Sequence, residues 1–211
     1  MSKGGILLNL RLRLEEAITY GTKSQARRIA LQGLRLAKKE NLTGEVAYFQ
    51  GQLELIAENY AGAIECFKVA VGHNPKDGAA YNDWALCLVE LGFIDDALGY
   101  FEKGIEVEPD FATIYHNKGW LLNNIGRHTE AVSCFKKALS LEPNRAVTYD
   151  NLADALFNLG DYQGAVSAYQ KVLELLKPNQ CRGIRKAIRQ QISFIRKKLK
   201  EGCCAGSYRK A

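Results

Sequence analysis

The feature that most constrains the fold of this chain of 211 residues is an internal period of 34 residues. Three of its four prolines, Pro75, Pro109 and Pro143, are separated by this step. The same step aligns a column of aromatic residues, which comprises Phe67, Phe101, Phe135 and Tyr169. A fixed period of this length is typical of repeat proteins, in which each repeat buries its apolar face against its neighbours.

The same period aligns small residues in three further columns. These columns are Gly51, Ala85, Gly119 and Ala153; Ala63, Ala97, Ala131 and Ala165; and Gly92, Gly126 and Gly160. Small residues let two helices approach closely, and a glycine ends a helix at low cost because it adopts the left-handed conformation readily. Apolar residues between the columns recur every three or four positions. Each repeat is therefore predicted to be a pair of α-helices joined by a tight turn.

These columns resemble the tetratricopeptide repeat. The clearest copy carries the residues Tyr81, Trp84, Ala85, Leu88, Gly92, Ala97, Phe101 and Pro109. The resemblance covers residues 44–179 as four repeats, at 44–77, 78–111, 112–145 and 146–179. The first copy departs from the pattern, because Glu58 stands at the turn glycine and Ala47 at the aromatic position. The resemblance implies an all-α fold, a right-handed superhelical solenoid of antiparallel helix pairs.

The segments on either side of the repeats are predicted to close the solenoid. Residues 1–43 are interpreted as a degenerate N-terminal helical pair, with helices at 6–20 and 23–40. Residues 180–201 are predicted to form a basic amphipathic capping helix, since a terminal element must cover the last apolar surface and present a polar face to water. Residues 202–211 are expected to be a flexible tail.

The distribution of charge limits the partners that can bind, and the spacing of the cysteines indicates the cellular compartment. The net charge of +6 divides into +6 for residues 1–43, −9 for 44–178 and +9 for 179–211. The six cysteines include no Cys-x-x-Cys pair, which indicates a reduced, intracellular protein without a metal site. No stretch has the apolar length of a signal sequence or a membrane span. We therefore expect a cytoplasmic location.

The resemblance implies that the first helix of each repeat lines a concave groove that binds another protein. The expected groove residues are Tyr48, Gln52, Asn82, Asp83, Leu86, His116, Asn117, Trp120, Asn124, Asp150, Asn151 and Asp154. Its asparagines could pair with the backbone of an extended peptide, or they could bond neighbouring repeats. Trp120 could anchor a partner or pack against the adjacent helix. The acidic groove favours a neutral or basic peptide or helix with an apolar anchor.

Family members that bind chaperone tails hold a C-terminal carboxylate with a clamp of Lys or Arg and Asn. The equivalent places in two possible frames are Asn82, Leu86, Asn117, Val147 and Asn151, or Tyr48, Gln52, Asp83, Thr113 and Asn117. Neither frame supplies a cation, and a carboxylate needs one. We expect no binding to Hsp70 or Hsp90 tails.

The sequence therefore predicts a scaffold or adaptor that binds a partner protein, without catalytic residues, metal or cofactor. It has no phosphate-binding glycine motif, and its three histidines are scattered. One alternative is that a basic face binds nucleic acid or an acidic membrane surface, or docks on the acidic groove in self-association. This face comprises Arg185, Lys186, Arg189, Arg196, Lys197 and Lys200.

Overall fold

The structure is a computed structural model that describes residues 3–176 and 181–207, and these residues form helices joined by short turns. The helices are α1 (Lys3–Tyr20), α2 (Lys23–Lys39), α3 (Thr43–Ile56), α4 (Tyr60–His73), α5 (Gly78–Glu90), α6 (Ile94–Val107), α7 (Ala112–Asn124), α8 (His128–Leu141), α9 (Ala146–Asn158), α10 (Tyr162–Leu175) and α11 (Arg182–Ser207). None of the helices described has the combination of length and apolar content needed to cross a membrane.

The chain divides into two compact units at Ile114, within α7. In the first unit, α1 packs on α2, α2 on α3, α3 on α4, α4 on α5, and α5 on α6. In the second unit, α8 packs on α9, α9 on α10, and α10 on α11. Consecutive packing of this kind is the pattern that stacked helix pairs produce.

The turns inside the repeats follow from a few residues. Gly92, Gly126 and Gly160 have φ angles of +83°, +82° and +80°, so the glycine column does take the left-handed conformation. Glu58 takes the same place in the first repeat with a φ of +63°, which is a costly conformation for a side chain with a β-carbon. Asn59 then caps α4 by accepting a hydrogen bond from the backbone N–H of Gly62.

The columns of small and aromatic residues meet inside each repeat. Phe67, Phe101 and Phe135 are fully buried. A β-carbon placed on Gly51 would lie 2.7 Å from the ring of Phe67, and one on Gly119 would lie 2.9 Å from the ring of Phe135. The rings therefore fill the space that the missing side chains leave, which explains why the two columns share one period.

The flanking helices pack as amphipathic elements. Helix α2 begins with a capping box between Thr22 and Gln25. Its buried face comprises Ala26, Ile29, Ala30, Gly33, Leu34 and Ala37. Helix α11 buries Ile188, Ile192 and Ile195, whereas Ile184 is exposed. This helix continues through 202–207, the first part of the segment expected to be a flexible tail; residues 208–211 lie outside the described residues, as do 177–180 with the proline of the fourth repeat.

Candidate protein-binding surface

In the first unit, helix α1 covers part of the surface formed by the first helices of the repeats. The guanidinium of Arg11 donates to both carboxylate oxygens of Glu45, at 3.0 Å each, and to both oxygens of Asp77, at 3.0 and 2.8 Å. It also lies 3.6 Å from the ring centroid of Tyr48. A planar arginine suits two bidentate carboxylate contacts and an aromatic face at once. Tyr48, a predicted groove residue, is buried.

A polar cluster lies close by in the first unit. Gln52 and Asn82, both buried, donate side-chain N–H groups to the carboxylate of Asp83. Burial raises the pKa of Asp83 to about 7, with a contribution from the negative charge of Glu15 on α1. The side-chain amide oxygen of Gln52, Oε1, is buried and has no hydrogen-bond partner. This part of the predicted groove thus lies close to α1, and one of its buried polar atoms lacks a hydrogen bond.

Helix α1 also contacts the start of α7, where the hydroxyl of Thr113 donates to the carboxylate of Glu15. Towards its C-terminal end, a pocket of about 370 Å³ remains beside α1. Its lining includes Ala17 and Ile18 from α1, Leu55 from α3, and Leu86 and Glu90 from α5. Leu86, another predicted groove residue, therefore borders a cavity.

The second unit presents its predicted groove residues differently. Trp120 on α7 is 37% exposed. Asn124, one turn further along α7, and Asp154 on α9 are also exposed, and Asn117 is half-buried. A partly exposed tryptophan with amide side chains three and four residues away on the same helix has the composition of a protein-binding surface.

His116, a predicted groove residue, is buried between α7 and α9 and contacts two polar side chains of α9. Its Nδ1 lies 2.9 Å from the hydroxyl of Thr148, and its Nε2 lies 3.4 Å from the side-chain nitrogen of Asn151. Burial, together with the positive charge of Arg145, lowers the pKa of His116 to about 4. The ring is therefore neutral at pH 7 and links α7 to α9.

Other polar side chains on α9 also connect helices. Asn158 donates to the side-chain oxygen of Asn123 at 3.3 Å, and the hydroxyl of Tyr169 donates to Asp154. Burial raises the pKa of Asp150, and the nearby charge of Asp154 adds to the effect. The amides on this face therefore serve packing between helices as well as any contact with a partner.

The six basic residues predicted to form an anion-binding face on α11 lie in three different environments. Arg185 donates to the backbone carbonyls of Leu173, at 2.5 Å, and Leu176, at 2.8 Å. It thus caps the C-terminal end of α10. Four others line a pocket of about 590 Å³ between α10 and α11, namely Arg189, Arg196, Lys197 and Lys200. Lys186 is exposed and does not line this pocket.

Sequence reasoning missed the residues that connect α1 to the repeats. Arg11, Glu15 and Asp77 appear in no repeat column, and Arg11 contacts a carboxylate 66 residues away. The one available signal was a charged pair, Arg11 and Glu15, four residues apart on a helix whose leucines also recur at helical spacing. That spacing indicates a helix but not what the helix covers.

Comparisons with known proteins agree with this geometry. Residues 110–177 match the sequence model of the tetratricopeptide repeat. TTC0263, a tetratricopeptide-repeat protein of Thermus thermophilus, is 20% identical and matches with a TM-score of 0.68 over 90% of this chain and 98% of that one. MamA from Desulfovibrio magneticus RS-1 is 16% identical and matches with a TM-score of 0.60 over 81% of this chain and 98% of that one. Likeness at these identities concerns the fold.

Sequence relatives match over shorter stretches. The Hsp70-Hsp90 organizing protein of Triticum aestivum is 33% identical over 85 residues, which is 40% of this chain but 13% of that protein. Protein FlbA of Caulobacter vibrioides is 30% identical over 84 residues, 40% of this chain and 14% of that protein. The chain thus spans about an eighth of the length of these relatives.

The repeat columns, the helix pairs and these matches together define the class of fold, which is a helical repeat protein. Residues 110–177 match the tetratricopeptide-repeat family, and the helix pairs share the fold of a solved tetratricopeptide-repeat protein. Proteins of this family bind other proteins and are typically scaffolds without catalytic activity.

Proposed function

We propose that this protein is a non-catalytic adaptor that binds an extended peptide or a helix of a partner protein. The binding surface would be formed by first-helix residues of the second unit. The observation that carries the proposal is the exposure of Trp120 beside Asn124 on α7. A large side chain that remains partly exposed gives a partner an apolar anchor with little loss of conformational entropy. We also infer a cytoplasmic location from the spacing of the cysteines in the sequence.

The charge of α9 supports a neutral or basic partner. Asp150 and Asp154 lie close enough for the second to raise the pKa of the first. A cation on a partner would stabilise both carboxylates, whereas an acidic segment would add to their repulsion. The partner would therefore combine an apolar side chain for Trp120 with a nearby lysine or arginine.

The partners in the name of the Hsp70-Hsp90 organizing proteins, Hsp70 and Hsp90, are not expected to bind this chain. A clamp for a C-terminal carboxylate needs a cation that is available to the ligand. Arg11 is a cation near the predicted clamp places of the first unit, but Glu45 and Asp77 hold it. Peptides from Hsp70 and Hsp90 tails should therefore not bind. Saturable binding that depends on the free carboxylate would overturn this part of the proposal.

The test of the main proposal is partner capture from lysate of the source cell with two double variants. Trp120→Ala/Asn124→Ala removes two exposed side chains of the second unit's first helix. Val69→Ala/Asn144→Ala removes an exposed apolar residue and an exposed asparagine at other sites, and serves as the matched control. The proposal predicts a protein that is retained by the wild type and the control but lost by the first variant, with unchanged helical circular dichroism. Equal retention by all three forms would contradict it.

A second candidate function is the binding of an anionic partner by α11. It is favoured by the convergence of Arg189, Arg196, Lys197 and Lys200 around one pocket. Binding of nucleic acid or anionic vesicles through these cations should weaken by orders of magnitude between about 50 and 200 mM salt. Binding that is insensitive to salt would exclude this candidate. Self-association of α11 with an acidic surface would instead appear as oligomers at low ionic strength in light scattering.

A further inference from the structure

The basic residues of α11 differ from those of the repeats in what lies next to them along the chain. In the repeats, Lys68, Arg127 and Lys171 each pair with a glutamate three residues away, at 2.5, 2.6 and 2.8 Å. Residues 182–200 contain no aspartate or glutamate. The cations in this range therefore have only like charges as neighbours within it, and like charges one turn apart destabilise a helix. A bound anion would relieve this repulsion.

The cations that line the pocket between α10 and α11 share one side of α11. Arg189, Arg196 and Lys200 are separated by seven and four residues, a spacing that returns to the same face of a helix. Lys197, next to Arg196, lines the same pocket. No aspartate or glutamate is among the described residues that line it. The charge of the pocket lining is therefore positive.

The other lining residues supply an apolar base and two uncharged polar groups. Ile192 is buried, and Leu173 on α10 is half-buried. Gln170 on α10 and Ser193 on α11 also line the pocket, and both are exposed. A guanidinium can donate to two oxygens of one phosphate, whereas ammonium, amide and hydroxyl groups add single hydrogen bonds. Both helices thus offer donors to a ligand rich in anionic oxygens.

The size and composition of the pocket favour a compact ligand over an extended polyanion. Its volume of about 590 Å³ is in the range of small-molecule sites. Two further cations of α11 are directed elsewhere: Arg185 caps α10, and Lys198 lies over the ring of Phe194. No aromatic ring is present in the described lining, although proteins that bind single-stranded nucleic acid stack its bases on such rings.

The spacing of the two arginines indicates more than one anionic group. Seven helical residues separate Arg189 from Arg196, which corresponds to about 10 Å along the helix axis. A single phosphate is too small to contact both guanidinium groups in their extended conformations. Two phosphate groups on one ligand could each contact one arginine.

We propose that the pocket between α10 and α11 binds a compact ligand with at least two phosphate groups. Arg189 binds one phosphate, and the second lies among Arg196, Lys197 and Lys200. A soluble polyphosphate and the phosphorylated headgroup of a lipid share this chemistry. The inference rests on the second candidate function, because it uses the same cations, and it specifies the ligand. It does not depend on the surface around Trp120.

The test is calorimetric titration of the full-length chain at physiological ionic strength with tripolyphosphate and with inorganic phosphate. Arg196→Gln/Lys200→Gln removes two cations of the pocket. Arg182→Gln/Lys186→Gln is the matched control, because it removes an exposed arginine and an exposed lysine with the same spacing on the same helix, outside the pocket. Circular dichroism verifies that both variants keep their helical content.

The wild type and the control should bind tripolyphosphate at least about tenfold more tightly than the pocket variant does, because the variant loses charge-assisted hydrogen bonds. Both should also bind tripolyphosphate at least about tenfold more tightly than inorganic phosphate, which provides one phosphate group only. Equal weakening in the two variants would show that only the net charge of α11 matters, and the proposal would fail. Inorganic phosphate that binds as tightly as tripolyphosphate would also overturn it.

Vesicle flotation identifies the source of the phosphate groups. Phosphatidylcholine vesicles with phosphatidylinositol bisphosphate are compared with phosphatidylcholine vesicles that carry the same surface charge as phosphatidylserine. Binding of the first kind alone, lost in the pocket variant, would assign the site to a lipid headgroup. Binding of tripolyphosphate without either kind of vesicle would assign it to a soluble ligand. Equal binding of both kinds of vesicle, or no binding of any of these probes, would contradict the proposal.

Hydrogen exchange tests the site without a substitution. Tripolyphosphate should slow the exchange of amides in α10 and α11 of the wild type, because the ligand contacts both helices. Unchanged exchange in these two helices at saturating tripolyphosphate would overturn the proposal. If a single-stranded oligonucleotide binds and loses affinity in the pocket variant while tripolyphosphate does not bind, this inference is wrong and the second candidate function stands.

Discussion

Phe49 places its ring where a side chain on Gly33 would have to lie. A β-carbon on Gly33 would be 2.3 Å from an atom of that buried ring, whereas one on Gly72 would meet nothing within 4 Å. Gly33→Ala should therefore lower the free energy of unfolding by about 1–3 kcal/mol through overpacking. Gly72→Ala, the matched change in an open helical position, should raise it by about 0.5–1 kcal/mol. Urea unfolding measures both, and a stabilised Gly33→Ala chain would contradict this packing.

His116 should make stability depend on pH. Its pKa of about 4 in the folded chain is below the usual value of 6.5. The ring is neutral in both states at neutral pH, and between pH 6.5 and 4 the unfolded chain binds the proton more readily. Stability is therefore lost as the pH falls through this window, by up to about 2–3 kcal/mol from this group.

Replacement of His116 by glutamine should remove that pH-dependent component. Thermal or urea unfolding between pH 7 and pH 4 should show a smaller loss of stability for His116→Gln than for the wild type. His73→Gln, a change at an exposed histidine, is the control and should follow the wild type. If His116→Gln and the wild type lose the same stability over this range, the ring is not buried in its neutral form.

At the scale of single residues, the period of 34 predicted which side chains pack together better than it predicted which side chains are exposed to solvent. The columns located the meeting of Gly51 with Phe67 because both positions are fixed by the repeat. The same arithmetic placed Gln52 and His116 on the first-helix surface, and both are buried. A helical position specifies the direction of a side chain but not whether another element covers it. Whether these residues contact a partner stays a prediction.

At the scale of helices, α11 should owe its position to three isoleucines. Ile195 is 1% exposed, whereas Ile184, on the same helix, is 56% exposed. Ile195→Ala should cost about 2–4 kcal/mol because it leaves a cavity, and Ile184→Ala should cost well under about 1 kcal/mol. Chemical denaturation of both variants tests this difference. Equal costs would mean that α11 is not seated on α10 through its isoleucine stripe.

Helices were easier to predict than the contacts that position them. The apolar spacing indicated helices at 6–20 and 23–40, and α1 and α2 occupy Lys3–Tyr20 and Lys23–Lys39. The sequence could not indicate that α1 reaches Asp77 and Thr113, because those contacts join residues 66 and 98 positions apart and follow no period. At Glu58 the structure keeps what the sequence pattern lacks: this residue stands where the other repeats have a turn glycine, and it takes the same left-handed conformation.

At the scale of the whole molecule, the repeat pattern determines the class of protein but not its partner. A period of 34 residues with matching small and aromatic columns was sufficient to identify the fold, since each column corresponds to a contact that every repeat must make. Binding residues vary between repeats, so no internal comparison identifies them. The uneven charge, −9 in residues 44–178 and +9 in 179–211, indicates only the sign of the charge that a partner of each segment should carry.

The most direct test of the adaptor function is site-specific photo-crosslinking in the source cell. A photoreactive phenylalanine analogue replaces Trp120 in one chain and Val69, an exposed residue of a second helix, in another. The adaptor account predicts a discrete protein adduct from position 120 that is absent from position 69. Adducts from both positions alike, or none from position 120 while the protein still associates with a partner, would show that partners bind elsewhere on the molecule.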